Sequence, residues 1–459
     1  MSSYDLAIIG AGPGGFEAAL RARELGFKVA LIEKSDLGGT CLNTGCIPTK
    51  ALLASTKLLT KIKEASSFGL SVAAVSYDRE TLLQRKNRIV ETLKKGMTET
   101  LKRSGVEWIG GEARFSGRGE LEISAPRGGN VAVEARSILI ATGARPAPFP
   151  GVPFDGERIL SSTDILELKT VPERLLIIGG GVIGVEFASV FQALGSKITM
   201  VEVLERLIFG EDEEVSRRLE SVFRRKGMEI YTGEKVRSLT KTKGGVEITL
   251  ESEKRLEADQ VLVAMGRTPQ IDALGLPEAG IKIERGAISV DKYLETTRAG
   301  VFAIGDVTSR TTGLAHGAAA EGIRVVRNLK GPKVPMDYGA IPYCIYTDPE
   351  VASVGAARSG SRERSEEIVE GKILFASLGK SHIEGETEGF LKMIASKKDG
   401  RILGVTAIGA HVTELIHEAA LAVKLGVNVK SLAQTVHAHP TESEILEKAA
   451  QELTRIAKE

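Results

Sequence analysis

Two of the chain's three cysteines, Cys41 and Cys46, lie in GGTCLNTGCIPTK, residues 38–50, with four residues between them. Sulfur at that spacing has three chemistries open to it: a structural disulfide, a corner of a metal site, or a pair cycling between dithiol and disulfide. Zinc asks for about four ligands. No second CxxC or Cys–His cluster accompanies the pair, so no metal is expected. In a regular helix, Cα atoms five positions apart are roughly 8–9 Å from each other, beyond the ~7 Å limit of a disulfide, so a bridge requires irregular backbone. Gly45 and Pro48 supply it at the entry to TKALLASTKLLTKI, which reads as a helix. A helix N-terminus also favours the thiolate of a nearby cysteine. Thiol exchange needs a base as well. Of six histidines, His437 and His439 in HAHPTESEILEKAAQEL stand out. Pro440 suits the first position of a helix, and Glu444 falls in its first turns, where a carboxylate can orient an imidazole.

Composition bounds what such residues can serve. A chain of 459 residues is too long for one ordinary core and suggests about three domains. With 42% hydrophobic and 26% charged residues it reads as globular and soluble. A net charge of +1, with no long run of one sign, gives no support for nucleic acid or an anionic membrane as partner. MSSYDLAIIGAG goes straight into a strand-like run with no basic region before it, so no secretory signal is expected and the cytoplasm is the expected location. Thiols are kept reduced there, which weakens the structural-disulfide reading. LLIIGGGVIGVEFASVFQALG, residues 175–195, is long enough to span a membrane. Its glycine triplet and Glu186 argue instead for a buried strand running into a buried helix.

The elements that must position the cysteines begin at DLAIIGAGPGGFEAALRARELGFKVALIEK, residues 5–34. An apolar run, Leu6 to Ile9, reads as a parallel strand. Gly10, Gly12 and Gly15 form GxGxxG, with Pro13 and Gly14 inside it, and a helix follows to about Leu25. Such a turn lets backbone approach a pyrophosphate, and the helix N-terminus aims its N–H groups at the phosphates. Glu33, ending the second strand beside Lys34, is placed to accept from ribose hydroxyls. The whole unit returns in residues 174–203, shifted by 169 positions: Gly179, Gly181 and Gly184 repeat the glycines, with Gly180, Val182 and Ile183 between them, and Glu202 repeats Glu33. Two dinucleotides are expected. Glu202 favours a free 2′-OH and repels a 2′-phosphate, which points to NAD in the second turn, although Arg206 is nearby. FAD then belongs to the first, eight residues from the cysteines, because a flavin couples hydride to thiol chemistry.

Together with VFAIGDV (301–307) and HAHPTESE (437–444), these segments make the chain similar, over nearly its whole length, to the flavoprotein disulfide reductases. The resemblance implies an α/β fold of two Rossmann-like dinucleotide-binding domains plus a C-terminal α+β dimerisation domain. The boundaries it suggests are 1–147 with 271–338 for FAD, 148–270 for NAD and 339–459 for the interface. By the same resemblance Cys41 is the interchange thiol and Cys46 the thiolate against the flavin. The base is His439, backed by Glu444, while His437 is a supporting or core residue. Lys50 is implied near the flavin and paired with Glu186. Further FAD contacts are implied at Gly39, Thr40, Ala113, Thr142, Gly143, Asp306 and Ala315, and NAD contacts at Val236, Ala264, Gly266 and Arg267. The implied activity is oxidation of dihydrolipoamide with NAD⁺ as acceptor. The implied assembly is a homodimer in which each C-terminal domain lends its histidine to the other copy's cysteines. A lipoylated protein of a 2-oxoacid dehydrogenase or glycine cleavage system is the implied partner. Rival readings are another NAD(P)H-dependent disulfide or mercuric reductase and a non-catalytic flavoprotein subunit. The tail EKAAQELTRIAKE has no cysteines, which weighs against a mercuric-type relay. Cys344, in the apolar run IPYCIYTDPE, reads as a small buried hydrophobe.

Overall fold

The structure, a computed structural model, describes residues 2–117, 119–125, 129–357 and 367–456. The chain condenses into two units: Met1–Ala51 with Glu80–Ala147 and Gly266–Asp337, and Leu52–Arg79 with Pro148–Met265 and Tyr338–Glu459.

In the first unit, β1 (Ser2–Ile9), α1 (Pro13–Glu24) and β2 (Val29–Glu33) form the strand–turn–helix–strand expected around the first glycine motif. β1 pairs in parallel with β2 on one side and with the strand Asn130–Ile140 on the other, placing Leu6 opposite both Val29 and Ser137. Leu6, Ala7, Ile8, Leu31, Leu139 and Ile140 are fully buried. Strands covered on both faces carry continuous apolar runs, which is why this part of the sequence shows no alternation. The far edge of Asn130–Ile140 is shared. Its first half pairs antiparallel with Glu120–Ser124, and its last three residues pair in parallel with Val301–Ala303. That last strand delivers the turn Gly305–Val307 to the same end of the sheet as the glycine motif.

The second unit repeats the arrangement. Its parallel sheet runs in the order Glu229–Thr232, Lys197–Glu202, Arg174–Ile178, Gln260–Val263, Ile159–Leu160. The stretch of membrane-span length is a strand, Arg174–Ile178, and a helix, Val182–Ala193. No described helix is long and apolar enough to cross a membrane. Residues beyond 338 add a five-stranded antiparallel sheet in the order Tyr343–Ile345, Glu350–Gly355, Ile402–Gly409, Phe390–Ser396, Ile368–Leu374. The helices Val412–Leu425 and Glu444–Ile456 pack on it through Ile416, Ala419, Leu446, Ala449 and Leu453.

The second glycine turn and the C-terminal sheet belong to the same unit. Lys392, buried in Phe390–Ser396, has its Nζ 3.0 Å from both carboxylate oxygens of Asp212 and 3.3 Å from Glu214. Asp212 also caps the helix Glu213–Arg225, accepting from the N–H groups of Glu214 and Val215. A buried cation holds tightly to its counter-charge, so this contact fastens the C-terminal sheet to the segment carrying the second glycine turn. Arg267–Pro269 pairs antiparallel with Ala144–Pro146 and so belongs to the first unit.

Candidate active site

The first glycine turn fits a dinucleotide. Gly12 is the N-cap of α1 with no side-chain cap, and Pro13 follows, which leaves the helix's first N–H groups for an anionic ligand. A Cβ on Gly15 would lie 1.9 Å from the Gly10 carbonyl oxygen, so only glycine lets helix and strand pack this closely. Glu33, expected to accept from a ribose, also braces the turn. Its Oε2 accepts the N–H of Ala11 at 2.8 Å, inside the turn, and its Oε1 accepts the Ser35 N–H and hydroxyl at 2.9 and 3.0 Å. A carboxylate has about four acceptor sites, so capacity for ribose remains.

The 169-residue repeat holds at the level of single hydrogen bonds. Gly184 meets the Gly179 carbonyl at the same 1.9 Å. Glu202 accepts the N–H of Gly180 through Oε2 and that of Leu204 at 2.8 Å through Oε1, as Glu33 does with Ala11 and Ser35. Arg206 stacks its guanidinium 4.1 Å from the centre of the Phe209 ring and donates to the Phe209 carbonyl at 3.0 Å. Glu186, buried in the helix Val182–Ala193, accepts the Tyr346 N–H at 3.0 Å.

The cysteines sit on a helix broken at one residue. α2 (Gly39–Thr44) carries Cys41, α3 (Cys46–Lys63) begins with Cys46, and Gly45 between them has φ −140° and ψ −113°. The helix therefore starts three residues earlier than TKALLASTKLLTKI suggests, with Pro48 in its first turn, where a missing N–H costs nothing. Thr49 closes the turn, its N–H and hydroxyl both donating to the Gly45 carbonyl, at 3.1 and 2.7 Å. The Gly38 N–H donates to the Ala11 carbonyl at 2.9 Å, and a Cβ on Gly39 would come within 2.8 Å of the Gly12 Cα. The sulfur segment is thus laid directly against the first dinucleotide turn. Cys41 is hydrogen-bonded to Cys46. That bond, then burial, then the charge of Cys46 push the Cys41 thiol far up, while the Lys50 ammonium pulls it down. Two adjacent thiols do not both ionise readily; of the two sulfurs, Cys46 stands at the start of α3, where a helix N-terminus favours negative charge.

The two histidines part company. His437 has a side chain only 6% exposed, with Nε2 3.0 Å from Glu418 Oε1 and Nδ1 3.0 Å from the Thr435 carbonyl. His439 is 77% exposed, and its Nδ1 lies 3.1 and 3.2 Å from the two oxygens of Glu444. Glu444 Oε1 also accepts the Thr441 N–H at 2.9 Å. That backbone bond first, and His439 after it, hold the Glu444 carboxyl below the usual range. With Nδ1 engaged, Nε2 is the nitrogen left to exchange a proton. Pro440 is not at the start of the helix as expected; the helix begins at Glu444. Ile445 and Leu446 donate to the carbonyls of Glu442 and Ser443, closing turns that precede it.

A model of the pyridine nucleotide-disulphide oxidoreductases matches residues 4–322, and a model of their dimerisation domain matches residues 341–450. The chain belongs to the pyridine nucleotide-disulphide oxidoreductase family. It is 39% identical to the dihydrolipoyl dehydrogenase of Bacillus subtilis and 40% identical to dihydrolipoyl dehydrogenase 3 of Pseudomonas aeruginosa, covering 98% of each of those proteins and 98% and 99% of this chain. Among solved structures it is similar to LpdA from Mycobacterium tuberculosis, with TM-score 0.92 and 28% identity over 99% of this chain and 100% of that one. It is also similar to the HOCl-induced flavoprotein disulfide reductase RclA from Escherichia coli in its Cu(II) complex, with TM-score 0.87 and 30% identity over 98% and 99%.

Other residues implied for this oxidoreductase family find definite places. Lys34 pairs with Glu112 at 3.1 Å, and the next residue, Ala113, is buried in Glu112–Gly117. Asp306 accepts the Thr311 hydroxyl at 3.1 Å, and Ala315 opens a helix, Ala315–Lys330, whose N-cap Leu314 offers no side-chain cap. Val236 begins the strand Val236–Lys241, and the Ala264 N–H donates to the Ile178 carbonyl at 2.8 Å. Gly266 and Arg267, implied for NAD, follow the strand Gln260–Val263, and Arg267 opens the strand Arg267–Pro269. The Arg267 guanidinium bonds the Ala144 carbonyl and lies 3.4 Å from Thr40 Oγ1 and 3.7 Å from Asp306. Strand pairing at Arg267–Pro269 turns it there. Two supporting residues fall outside the motifs read from the sequence. Gln270 latches Thr142 and Gly143, accepting the Thr142 hydroxyl at its own carbonyl at 2.8 Å and donating to the carbonyls of Thr142 and Gly143 at 3.1 and 2.9 Å. Glu321, fully buried, accepts the Gly305 N–H at 2.7 Å and so holds the turn bearing Asp306. A lone acid in the small-residue run AHGAAAEG was its signal. Among the described residues no acidic, histidine or cysteine cluster suits a metal ion.

Proposed function

We propose that this chain is a dihydrolipoyl dehydrogenase that oxidises dihydrolipoamide to lipoamide with NAD⁺ as acceptor. The observation that carries the reading is the Cys41–Cys46 segment, whose Gly38 and Gly39 lie against Ala11 and Gly12 of the first dinucleotide turn. FAD in the first turn and NAD in the second, when bound, supply two-electron transfer between the dithiol and nicotinamide. Glu33 and Glu202 receive ribose hydroxyls, and the N-termini of α1 and of Val182–Ala193 receive pyrophosphate. Glu202, with Arg206 drawn onto Phe209, supports NAD over its 2′-phosphate.

Starting from the Cys41–Cys46 disulfide, one substrate thiol loses its proton to His439 Nε2 and attacks the Cys41 sulfur, breaking the bond to Cys46. Cys46 leaves as thiolate. The second substrate thiol then attacks the substrate sulfur of the mixed disulfide, releasing cyclic lipoamide and returning Cys41 as thiol. Glu444 keeps the imidazole in the tautomer that can accept at Nε2 and stabilises its charged form. We further assign the protein a homodimeric state in which His439 of one copy serves the cysteines of the other. Leu421, Leu425 and Val436, apolar and 59%, 69% and 93% exposed, support a covering partner near the histidine segment. A lipoylated carrier protein is the physiological substrate, and the cytoplasm the location. The test is turnover of purified holoenzyme with dihydrolipoamide and NAD⁺. Activity confined to NADPH and a different disulfide would refute the substrate and the cofactor together.

A further inference from the structure

Residues 437–444 are anchored at one end by His437 on Glu418 and run at the other into the helix Glu444–Ile456, whose first residue accepts the Thr441 N–H. Between these ends, Glu442 turns inward while His439, three residues before it, faces outward. Glu442 is 6% exposed, and its two carboxylate oxygens accept the Ser381 hydroxyl at 3.0 and 2.9 Å. Ser381 is itself fully buried in the short helix Gly379–Glu384. The other charged groups facing Glu442 are Glu384 of that helix, Glu386 just beyond it, and His411 at the start of Val412–Leu425. Glu384 is paired with Lys380 at 2.6 Å and with His411 at 3.3 Å, and Glu386 with Lys61 at 2.5 Å. Burial first, and the two neighbouring carboxylates, push the Glu442 carboxyl up, while Ser381 and His411 pull it down.

Filling this space with hydrocarbon would avoid the cost of desolvating a carboxylate. What an apolar side chain does not offer is a directional bond to one fixed donor. We propose that Glu442 is a positioning residue for the His439–Glu444 pair, holding residues 437–444 through Ser381 so that the imidazole projects in one orientation. This rests on the acid–base reading of His439 given above. The tether acts between its neighbours: with it gone, the Thr441–Glu444 bond that keeps the carboxylate on His439 Nδ1 opens more often.

Two measurements on the holoenzyme test it. Amide hydrogen exchange of residues 438–444 is expected to quicken about tenfold in Glu442→Ala, the loss of roughly one hydrogen bond's protection, with exchange elsewhere unchanged. Glu442→Gln, which keeps an acceptor for Ser381, is expected to restore the wild-type rate. Unchanged exchange in the alanine variant, or equal acceleration over the whole chain, overturns the proposal. The second measurement is a ratio of activities. Dihydrolipoamide turnover is expected to fall several-fold in Glu442→Ala, while NADH-driven reduction of ferricyanide, which needs no thiol exchange, holds. Ser381→Ala is expected to behave alike, and the double variant no worse than either single one. Loss of both activities in equal measure, or failure of the glutamine rescue, also overturns it. A wild-type enzyme inactive with dihydrolipoamide sinks the substrate reading, and the exchange result still decides the tether.

Discussion

Gly181→Ala separates what the second glycine turn does for the fold from what it does for its ligand. Gly181 is the N-cap of the helix Val182–Ala193, with φ −76° and ψ −175°, a conformation alanine adopts without strain. A Cβ built there meets nothing within 4 Å, whereas one on Gly184 meets the Gly179 carbonyl at 1.9 Å. The protein therefore has no reason of its own to exclude a methyl group at 181. Its fold should tolerate it, the gain of about 0.4–1 kcal/mol from a less flexible unfolded chain offsetting the weaker N-cap. A pyrophosphate approaching the helix N-terminus would meet that methyl directly. Pushed outward, it loses on the order of one charge-assisted hydrogen bond, about 1.5–3 kcal/mol, which corresponds to a roughly 10- to 150-fold rise in the KM for NAD⁺. The assay is steady-state turnover against NAD⁺ concentration, with flavin absorbance and the melting temperature read on the same sample. The reasoning fails if the KM is unchanged, or if flavin content and melting temperature fall with it. Gly184→Ala is the control in the other sense, since it should damage the unit before any ligand binds.

The histidines offer a second contrast. His439→Gln should cost about 10²–10⁴ in dihydrolipoamide turnover with little change in stability, as expected of a general base on an exposed loop. His437→Gln should instead lower the melting temperature, because it breaks the pair between a buried ring and the part-exposed Glu418; the opposite pattern would exchange the two assignments. Lys392→Met leaves Asp212 buried without its cation and should cost about 3 kcal/mol or more in urea unfolding. A smaller loss would mean that the helix cap alone satisfies Asp212. Two carboxyls near the base titrate in opposite senses. Glu444, held low when folded, contributes stability that is present above about pH 4.3, its ordinary unfolded value, and lost as pH falls through the lower folded value. Glu442, held high, contributes in the reverse sense: stability falls as pH rises from about 4.3 through its raised folded value. Melting curves of Glu442→Gln against wild type should therefore diverge in favour of the variant as pH rises through that window; parallel curves would count against it.

The chemistry-bearing residues were legible because they lie in contiguous motifs whose spacing is set by local backbone geometry. A GxGxxG between an apolar strand and a helix states its own purpose, and the 169-residue repeat announces two such sites. Local sequence also decided that Cys41 and Cys46 need a break in the helix, since Gly45 supplies it within the same turn. The resemblance then supplied His439 as the proposed base and the class of substrate. Tertiary structure decided what no local pattern encodes. Burial tells His437 from His439, two residues apart in one motif, because Glu418 and Glu444 reach them from different helices. Strand pairing brings Arg267 to Thr40 and Asp306. Gln270, Glu321 and Ser381 act through individual bonds to a backbone group or side chain 16 to 128 residues away, and such bonds leave no periodicity behind. Residue type and short-range spacing determine which reactions this protein can attempt, because those are properties of a turn or a cap. Which side chain is buried, and which faces its substrate, depends on segments hundreds of residues apart being packed together, and only the folded chain contains that information.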